Sequence, residues 1–282
     1  MTPAARPFLK WVGGKRALVP ELLTRMPKAY NTYHEPFIGG GALFFALGRP
    51  AALSDMNTRL IRTYQAIQTD VEAVIRILRT MPYDKEYYLR VRASNPETFH
   101  SSRPTWAPAG WNSGDGNTYC AAWFIYLNKT GFNGLYRVNR ANQFNVPFGR
   151  YTNPRICDEV NLRACSAALQ GSIIRREDFR AIVLRANPGD VCYFDPPYVP
   201  LSVTSNFASY TADGFSFRDQ EDLRDIALAL KRRRVHVILS NSGSPLVEQL
   251  YGEHFKLEPI SVNRAINSKA DQRGAVKEYI IT

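Results

Sequence analysis

The sequence predicts an α/β fold: a doubly wound parallel sheet split by one helical, loop-rich insertion. Three observations carry this prediction. A short strand over 33–37 runs into Gly39-Gly40-Gly41 and an apolar helix over 42–47, and a second strand over 51–53 ends in Ser54-Asp55-Met56-Asn57. Strand, glycine loop, helix, strand and acid in that order open a sheet of this kind. The same alternation resumes after Arg150. There an apolar run over 190–194 ends in Asp195-Pro196-Pro197-Tyr198, and open α/β sheets place their sites at the carboxyl ends of strands.

In chain order, Trp11-Val12-Gly13-Gly14-Lys15 is a tight turn before a helix over 17–26. From 58 to about 95 the pattern is helical: Leu60, Ile61, Tyr64 and Ile67 share a face, then Val71, Val74, Ile75 and Leu78. Residues 94–118 read as loop, with Trp106 and Trp111 among Ser, Pro, Gly and Asn. A helix over 118–127 leads into the turn chemistry of 128–134, and 135–138 with 143–146 predict a β-hairpin. Then come strands at 172–175 and 190–194, a helix over 218–233, and a strand over 235–239 ending in Ser240-Asn241. The last strands are expected at 256–262 and 276–281.

Composition narrows the function classes. With 282 residues, 45% hydrophobic and 22% charged, the chain is ordinary globular material rather than a largely disordered one. Thirty-six Lys and Arg against 25 Asp and Glu give +11. Such a charge favours an anionic partner, nucleic acid before a membrane surface. No apolar run approaches the roughly 18 residues of a spanning helix, and 1–10 lacks the apolar core of a signal peptide. The four cysteines form no C-x-x-C and the four histidines are scattered. A reduced, metal-free, cytoplasmic protein is the expectation.

Asp195-Pro196-Pro197-Tyr198 holds a carboxylate, free carbonyls and an aromatic face on a backbone stiffened by two prolines, which cannot continue a ladder. That set suits a planar ring bearing an amine; a plain strand-ending turn is the alternative. The loop Glu35-Pro36-Phe37-Ile38-Gly39-Gly40-Gly41 lets a ligand approach backbone. It is not a dinucleotide fingerprint, because Phe44 stands in the third glycine's place, and no Gly-Lys-Ser/Thr follows to make a Walker A loop. Asp55 can accept from ribose hydroxyls or cap the next helix.

The stretch 116–157 has no Asp or Glu, yet it carries Lys129, Arg137, Arg140, Arg150, Arg155 and nine aromatic residues. Basic and aromatic residues together suit phosphate neutralisation with base stacking or wedging, although Trp123, Phe124 and Tyr126 read as core. A second basic run, Lys231-Arg232-Arg233-Arg234, sits at a helix end where the dipole favours cations.

Together the stretches 8–15 (FLKWVGGK), 35–41 (EPFIGGG), 54–57 (SDMN), 126–135 (YLNKTGFNGL), 144–151 (FNVPFGRY) and 195–198 (DPPY) resemble the Dam-type adenine-N6 DNA methyltransferases, the D12 class. The resemblance covers nearly the whole chain. It implies a Rossmann-like S-adenosylmethionine-dependent methyltransferase sheet, 1–57 and 146–282, with an inserted DNA-recognition domain of helices and a β-hairpin, 58–145. By position, Trp11, Lys15, Glu35 and Gly39 surround the methionine end of the cofactor, with Phe37 and Gly41 in the same set. Asp55 holds the ribose, and Asp178 and Phe179 contact the adenine. Asp195, Pro196, Pro197 and Tyr198 are catalytic, with Asp195 also at the cofactor. Phe132 matches a wedge into the base stack, Arg137 a guanine reader, Leu135, Pro147 and Lys10 base contacts, and Arg150 a phosphate clamp. Lys129, Asn133 and Asn139 complete the DNA-binding set.

The implied reaction transfers the methyl of S-adenosylmethionine to N6 of an adenine flipped out of double-stranded DNA, within GATC, leaving S-adenosylhomocysteine and using no metal. A monomer with no membrane partner, encoded by a bacterium or phage, is expected. Rival readings are an amino-methyltransferase of cytosine N4, RNA or protein glutamine, and a DNA-binding protein without activity. The stretch 101–117 is longer than the family pattern and the tip 139–142 differs from it, which allows extra DNA contacts.

Overall fold

The computed structural model describes residues 4–100, 103–107, 115–198, 215–263 and 275–282. Seven strands form one mixed sheet: β1 Tyr33–Glu35, β2 Ala52–Asp55, β3 Ile173–Arg176, β4 Val191–Phe194, β5 His236–Ser242, β6 Leu257–Asn263 and β7 Ala275–Ile281. Their order is β3-β2-β1-β4-β5-β7-β6. The pairs β1–β2, β1–β4 and β4–β5 are parallel, and β7 runs antiparallel to β5 and β6. The expected doubly wound sheet is therefore observed, with its strand order reversing at β1 and β4, where such sheets bind ligands. The register Tyr33↔Val191 and His34↔Cys192 places Glu35 as the last residue of β1 and Asp195 one residue past the end of β4, the two switch-point strands. Both strands are buried on both faces, as parallel strands covered by helices are.

The helices are α1 Val19–Thr24, α2 Ala42–Leu47, α3 Thr58–Thr69, α4 Val71–Arg79, α5 Lys85–Ala93, α6 Gly116–Thr130, α7 Glu159–Leu169, α8 Ile182–Arg185, α9 Phe217–Arg232 and α10 Pro245–Tyr251. The helical stretch expected over 58–95 is three helices, because Asp70 and Asp84 each cap a new start by accepting from the third residue on. α1 is shorter than expected: a 3₁₀ turn, Lys15–Ala17, precedes it and Pro20 fills its first turn.

The predicted hairpin is present in minimal form. The arms 135–138 and 143–146 pair antiparallel through one bridge, Val138↔Phe144, and through backbone bonds from the Asn139 amide to the Gln143 carbonyl and from the Asn145 amide to the Arg137 carbonyl, without longer strands. The Asn139 carboxamide accepts from the Ala141 and Gln143 amides, and Asn142 has φ 56°. Side-chain bonds to the backbone thus add to the backbone pairing at the tip.

The chain divides into two compact units: 1–15, 39–50 and 55–176; and 16–38, 51–54 and 177–282. In the first, α6 is apolar all round, and Trp123, Phe124, Ile125, Tyr126 and Leu127 are at most 2% exposed. It packs against α3, α4 and α5. Trp106 is buried against Phe99 and Tyr119, so part of the 94–118 segment belongs to this core; Trp111 lies outside the described residues.

In the second unit, Cys192 and Phe194 of β4, Leu223, Ala227 and Leu230 of α9, and Val237 and Leu239 of β5 form one core. The basic run after α9 is structural as expected. Arg233 donates to the Val183 and Ala186 carbonyls, and the Lys231 ammonium lies 4.8 Å from the centre of the Phe255 ring.

Candidate active site

In the second unit, β4 delivers Asp195 and the sequence after it. Asp195 Oδ1 accepts from Ser240 Oγ of β5 at 2.8 Å, and Ser240 Oγ lies 2.9 Å from the hydroxyl of Tyr193. Tyr193 and Ser240 are fully buried, so this relay holds the carboxylate in one orientation. The Pro197 carbonyl accepts from the buried Gln220 amide of α9 at 3.0 Å, and Gln220 in turn accepts from Asn241 at 3.2 Å. The Tyr198 hydroxyl donates to the buried Glu278 carboxylate of β7 at 2.8 Å, and burial pushes its phenol well up. Each part of the motif is therefore fixed from a different element.

At the end of β1 the buried Glu35 accepts from the Tyr33 hydroxyl at 2.8 Å. Burial, then the adjacent Glu35 carboxylate, drives the Tyr33 phenol up. Phe37 stacks on Phe179 at 5.3 Å, with Phe215 edge-on to Phe37 at 5.7 Å. Asp178 caps the 3₁₀ turn Phe179–Ala181 by accepting from the Arg180 amide at 2.9 Å. Arg180 also ties Asp178 to Asp219 and Asp222. Asp178 and Phe179 thus border an aromatic cluster that offers ring faces and a carboxylate together.

In the first unit, Gly39, Gly40 and Gly41 precede α2. Gly39 has φ 45°, and a Cβ there would stand 2.7 Å from the Trp11 ring; Gly41 has φ 67°, and a Cβ there would stand 2.8 Å from the Tyr64 hydroxyl. Only glycine allows this left-handed backbone to lie so close to Trp11 and Tyr64. The Tyr64 hydroxyl donates to the Gly39 carbonyl at 3.1 Å. Lys15 is buried, its ammonium donating to the Gly13 carbonyl at 2.6 Å.

Asp55 Oδ2 accepts from the Gly39 amide at 3.2 Å and Oδ1 from the Asn57 amide at 2.9 Å. Burial raises its carboxyl, against the lowering by these amides and that of Met56. It is not the helix cap, because Asn57 Oδ1 takes that place by accepting from Leu60 N. With three amides on about four lone-pair sites, the carboxylate keeps acceptor capacity beyond these bonds. A half-buried carboxylate beside the glycine loop fits a ribose hydroxyl, so these residues suit a nucleoside cofactor.

Also in the first unit, Asn128 staples the turn after α6. Its amide donates to the Lys10 and Gly134 carbonyls, both at 2.8 Å, and its oxygen accepts from the Lys10 amide at 2.9 Å. Gly134 has φ 66°, and a Cβ there would meet the Lys10 stem at 2.4 Å. Lys10 is exposed, with its ammonium 4.8 Å from the centre of the Tyr151 ring. Phe132 opens the 3₁₀ turn Phe132–Gly134 and is 45% exposed, while its amide donates to the Pro147 carbonyl. Asn133 follows at φ 54°.

Arg137 uses Nε and Nη2 on the Asn145 side chain and carbonyl, at 2.7 and 3.1 Å, which presents the edge of its two terminal nitrogens outward. Leu135 is half-buried beside it. Among the described residues neither Arg140 nor Arg150 has an ion-pair partner. Tyr83 fixes the turn at Arg150 by donating to the Gly149 carbonyl and accepting from the Tyr151 amide. Lys129 is mostly buried, and burial first, then Lys10, lowers its ammonium to about 8.

Sequence reasoning missed Ser240, Gln220, Asn241, Glu278 and Asn128 as partners. Gln220 carried a signal: it stands three residues before Leu223 on the apolar face of α9, where a polar residue needs a buried partner. Glu278 carried another, as an acid inside the apolar strand β7. Among the described residues no group of three or more His, Cys, Asp or Glu is arranged to hold a metal.

A fixed carboxylate, backbone carbonyls and an aromatic face stand together at the switch point, a set that suits a planar ring bearing an amine. The chain belongs to the D12 class of N6 adenine-specific DNA methyltransferases, whose family model matches residues 11–266. It is 43% identical to the type II methyltransferase M1.LlaDCHI of Lactococcus lactis subsp. cremoris, over 98% of this chain and 95% of that protein. The type II methyltransferase M.MjaIII of Methanocaldococcus jannaschii is 36% identical over 95% of each chain. The DNA adenine methylase of Escherichia coli K12 is 32% identical over 98% of this chain and 94% of that one. The protein is an enzyme whose substrate is DNA and whose product carries a methyl group on adenine N6. Among the described residues no helix is long and apolar enough to cross a membrane.

Proposed function

We propose that the enzyme acts as a monomer on double-stranded DNA, with GATC as its site, in the cytoplasm of a bacterium or on phage DNA. The observation that carries this reading is the Asp195 carboxylate held by Ser240 at the switch point. The amine of adenine lies inside the base stack, so the base must leave the duplex to be reached. S-adenosylmethionine, when bound, supplies an electrophilic methyl group on a sulfonium and leaves as S-adenosylhomocysteine. The adenine amine is a poor nucleophile because its lone pair is delocalised into the ring. Asp195 and the Pro196 carbonyl accept its two hydrogens and favour a tetrahedral nitrogen, while Tyr198 stacks on the ring. Rate then comes from positioning and from acceptors already in place, and no step calls on a metal.

Trp11, Lys15, Glu35, Phe37, Gly39, Gly41 and Asp55 hold the methionine and ribose parts of the cofactor in this reading, and Asp178 and Phe179 its adenine. Phe132 wedges into the stack. Lys10, Leu135, Arg137 and Pro147 contact bases, and Lys129, Asn133, Asn139 and Arg150 support the backbone contact. The segments 1–57 and 146–282 carry the chemistry and 58–145 the recognition. Base-modification sequencing of DNA from cells expressing the enzyme or its Asp195→Ala variant tests this reading. N6-methyladenine at one short palindrome, absent with the variant, is expected; a mark on cytosine N4, or no mark, overturns it.

A further inference from the structure

Within the first unit one aromatic stack joins two regions whose proposed tasks differ. Trp11 lies on the glycine loop, within reach of any side chain at Gly39 or Gly40. Its ring is near-parallel to Tyr136 at 5.9 Å and to Phe124 at 6.2 Å, and Phe124 and Tyr136 stack at 5.0 Å. Tyr136 stands between Leu135 and Arg137 in the sequence. Its neighbours are thus the residues assigned to base contact, while its own ring points inward.

The Tyr136 hydroxyl accepts from Arg59 Nη1 at 3.5 Å. The same buried guanidinium donates to the Asn142 carbonyl at 2.7 Å and to Glu97 at 3.0 Å, and lies 5.4 Å from the centre of the Trp123 ring. Arg59 follows Asn57 in the α3 start that Asp55 leads into. The stack and the Arg59 bonds thus form one packed path from the loop under Trp11 to the backbone that presents Arg137, and close-packed interiors can transmit strain.

We propose that Tyr136 is a positioning residue that couples the cofactor loop to the base-reading turn. Occupancy of the loop sharpens discrimination between DNA sites, and cognate DNA tightens the cofactor by the same factor, as linkage requires. The inference rests on the reading that Trp11, Gly39 and Asp55 hold the cofactor and that Leu135 and Arg137 contact bases. Tyr136 touches neither ligand and acts through Trp11 and its own chain neighbours.

The test measures S-adenosylhomocysteine affinity by calorimetry, alone and with a saturating duplex carrying one site mapped by base-modification sequencing. Wild type, Tyr136→Phe and Tyr136→Leu are compared; leucine keeps apolar bulk but removes the planar ring. Wild type is expected to bind the product at least about fivefold more tightly on the duplex, the lower end of ordinary coupling. Tyr136→Phe keeps that factor and Tyr136→Leu brings it close to one, with product affinity in the absence of DNA changed less than about threefold. A Tyr136→Leu factor equal to wild type overturns the proposal, as does a wild type with no coupling or an equal loss in both variants. Asp55→Ala in the same titration separates the underlying reading: unchanged product affinity there rejects the cofactor assignment, whatever the Tyr136 variants do.

Discussion

Asp195 is held by a hydroxyl that is itself held by a phenol, so two substitutions probe different links of one relay. Asp195→Ala removes the acceptor, and methyl transfer should vanish while duplex binding persists; substantial turnover by the purified variant at saturating cofactor would reject the catalytic role. Ser240→Ala leaves the carboxylate but frees its orientation. A hydrogen bond to a charged group contributes about 1.5–3 kcal/mol, so kcat should fall about tenfold or more with cofactor KM unchanged. Asp55→Ala should weaken S-adenosylmethionine by about 1.5–3 kcal/mol, measured by calorimetry. Lys129 gives a pH-dependent signature. The unfolded chain keeps that proton up to about 10.4, whereas the native chain loses it near 8. Between those values the unfolded state binds more protons, so this lysine's contribution makes stability rise with pH across the window. Lys129→Met should therefore raise Tm at pH 7, and the gain over wild type should shrink as pH climbs past 8. At this scale the sequence located the candidate residues, because Asp195, Asp55 and the glycines stand at strand ends that can be read locally. It did not show what holds them: Ser240 reaches Asp195 across 45 positions.

At the scale of elements, the short hairpin after α6 is the part whose function is the most open to test. Arg137 presents its outer edge while Asn145 holds the inner one. That edge matches O6 and N7 of guanine in the major groove. Arg137→Ala should lose about 1–3 kcal/mol of discrimination at one base pair and methylate near-cognate sites. Arg150, exposed on a turn fixed by Tyr83, should behave differently. Its alanine variant should weaken all sequences alike and reduce the salt slope by about one ion. Competition binding on cognate and singly substituted duplexes over a salt series separates the two, and a uniform loss in both variants would make the turn a phosphate clamp only. The glycine loop offers a stability test. Gly41→Ala forces a left-handed backbone, costing about 1–2 kcal/mol, and pushes against the Tyr64 hydroxyl. Tm should fall by a few degrees. The sequence named this loop correctly because three successive glycines are legible without the fold. The hairpin was legible from its turn chemistry, but it stays at one bridge because the Asn139 side chain takes the Ala141 and Gln143 amides at its tip.

For the whole molecule, charge and strand order act together. A net charge of +11 predicts strong non-specific DNA binding that weakens steeply with salt, while the switch-point set is the proposed site of chemistry. The sequence by itself determined the fold class, the order of the strands along the chain, the strand ends where the candidate residues stand and the family. Those depend on hydrophobic period, turn residues and short motifs, which are properties of neighbouring positions. Only the tertiary structure decided which groups support them. Gln220 on the Pro197 carbonyl, Glu278 on Tyr198, Asn128 between Lys10 and Gly134, and the inward ring of Tyr136 are all pairings across elements. A buried polar group must find a partner, but the sequence does not say which one, because the choice is made by strand register and helix packing between residues far apart in the chain.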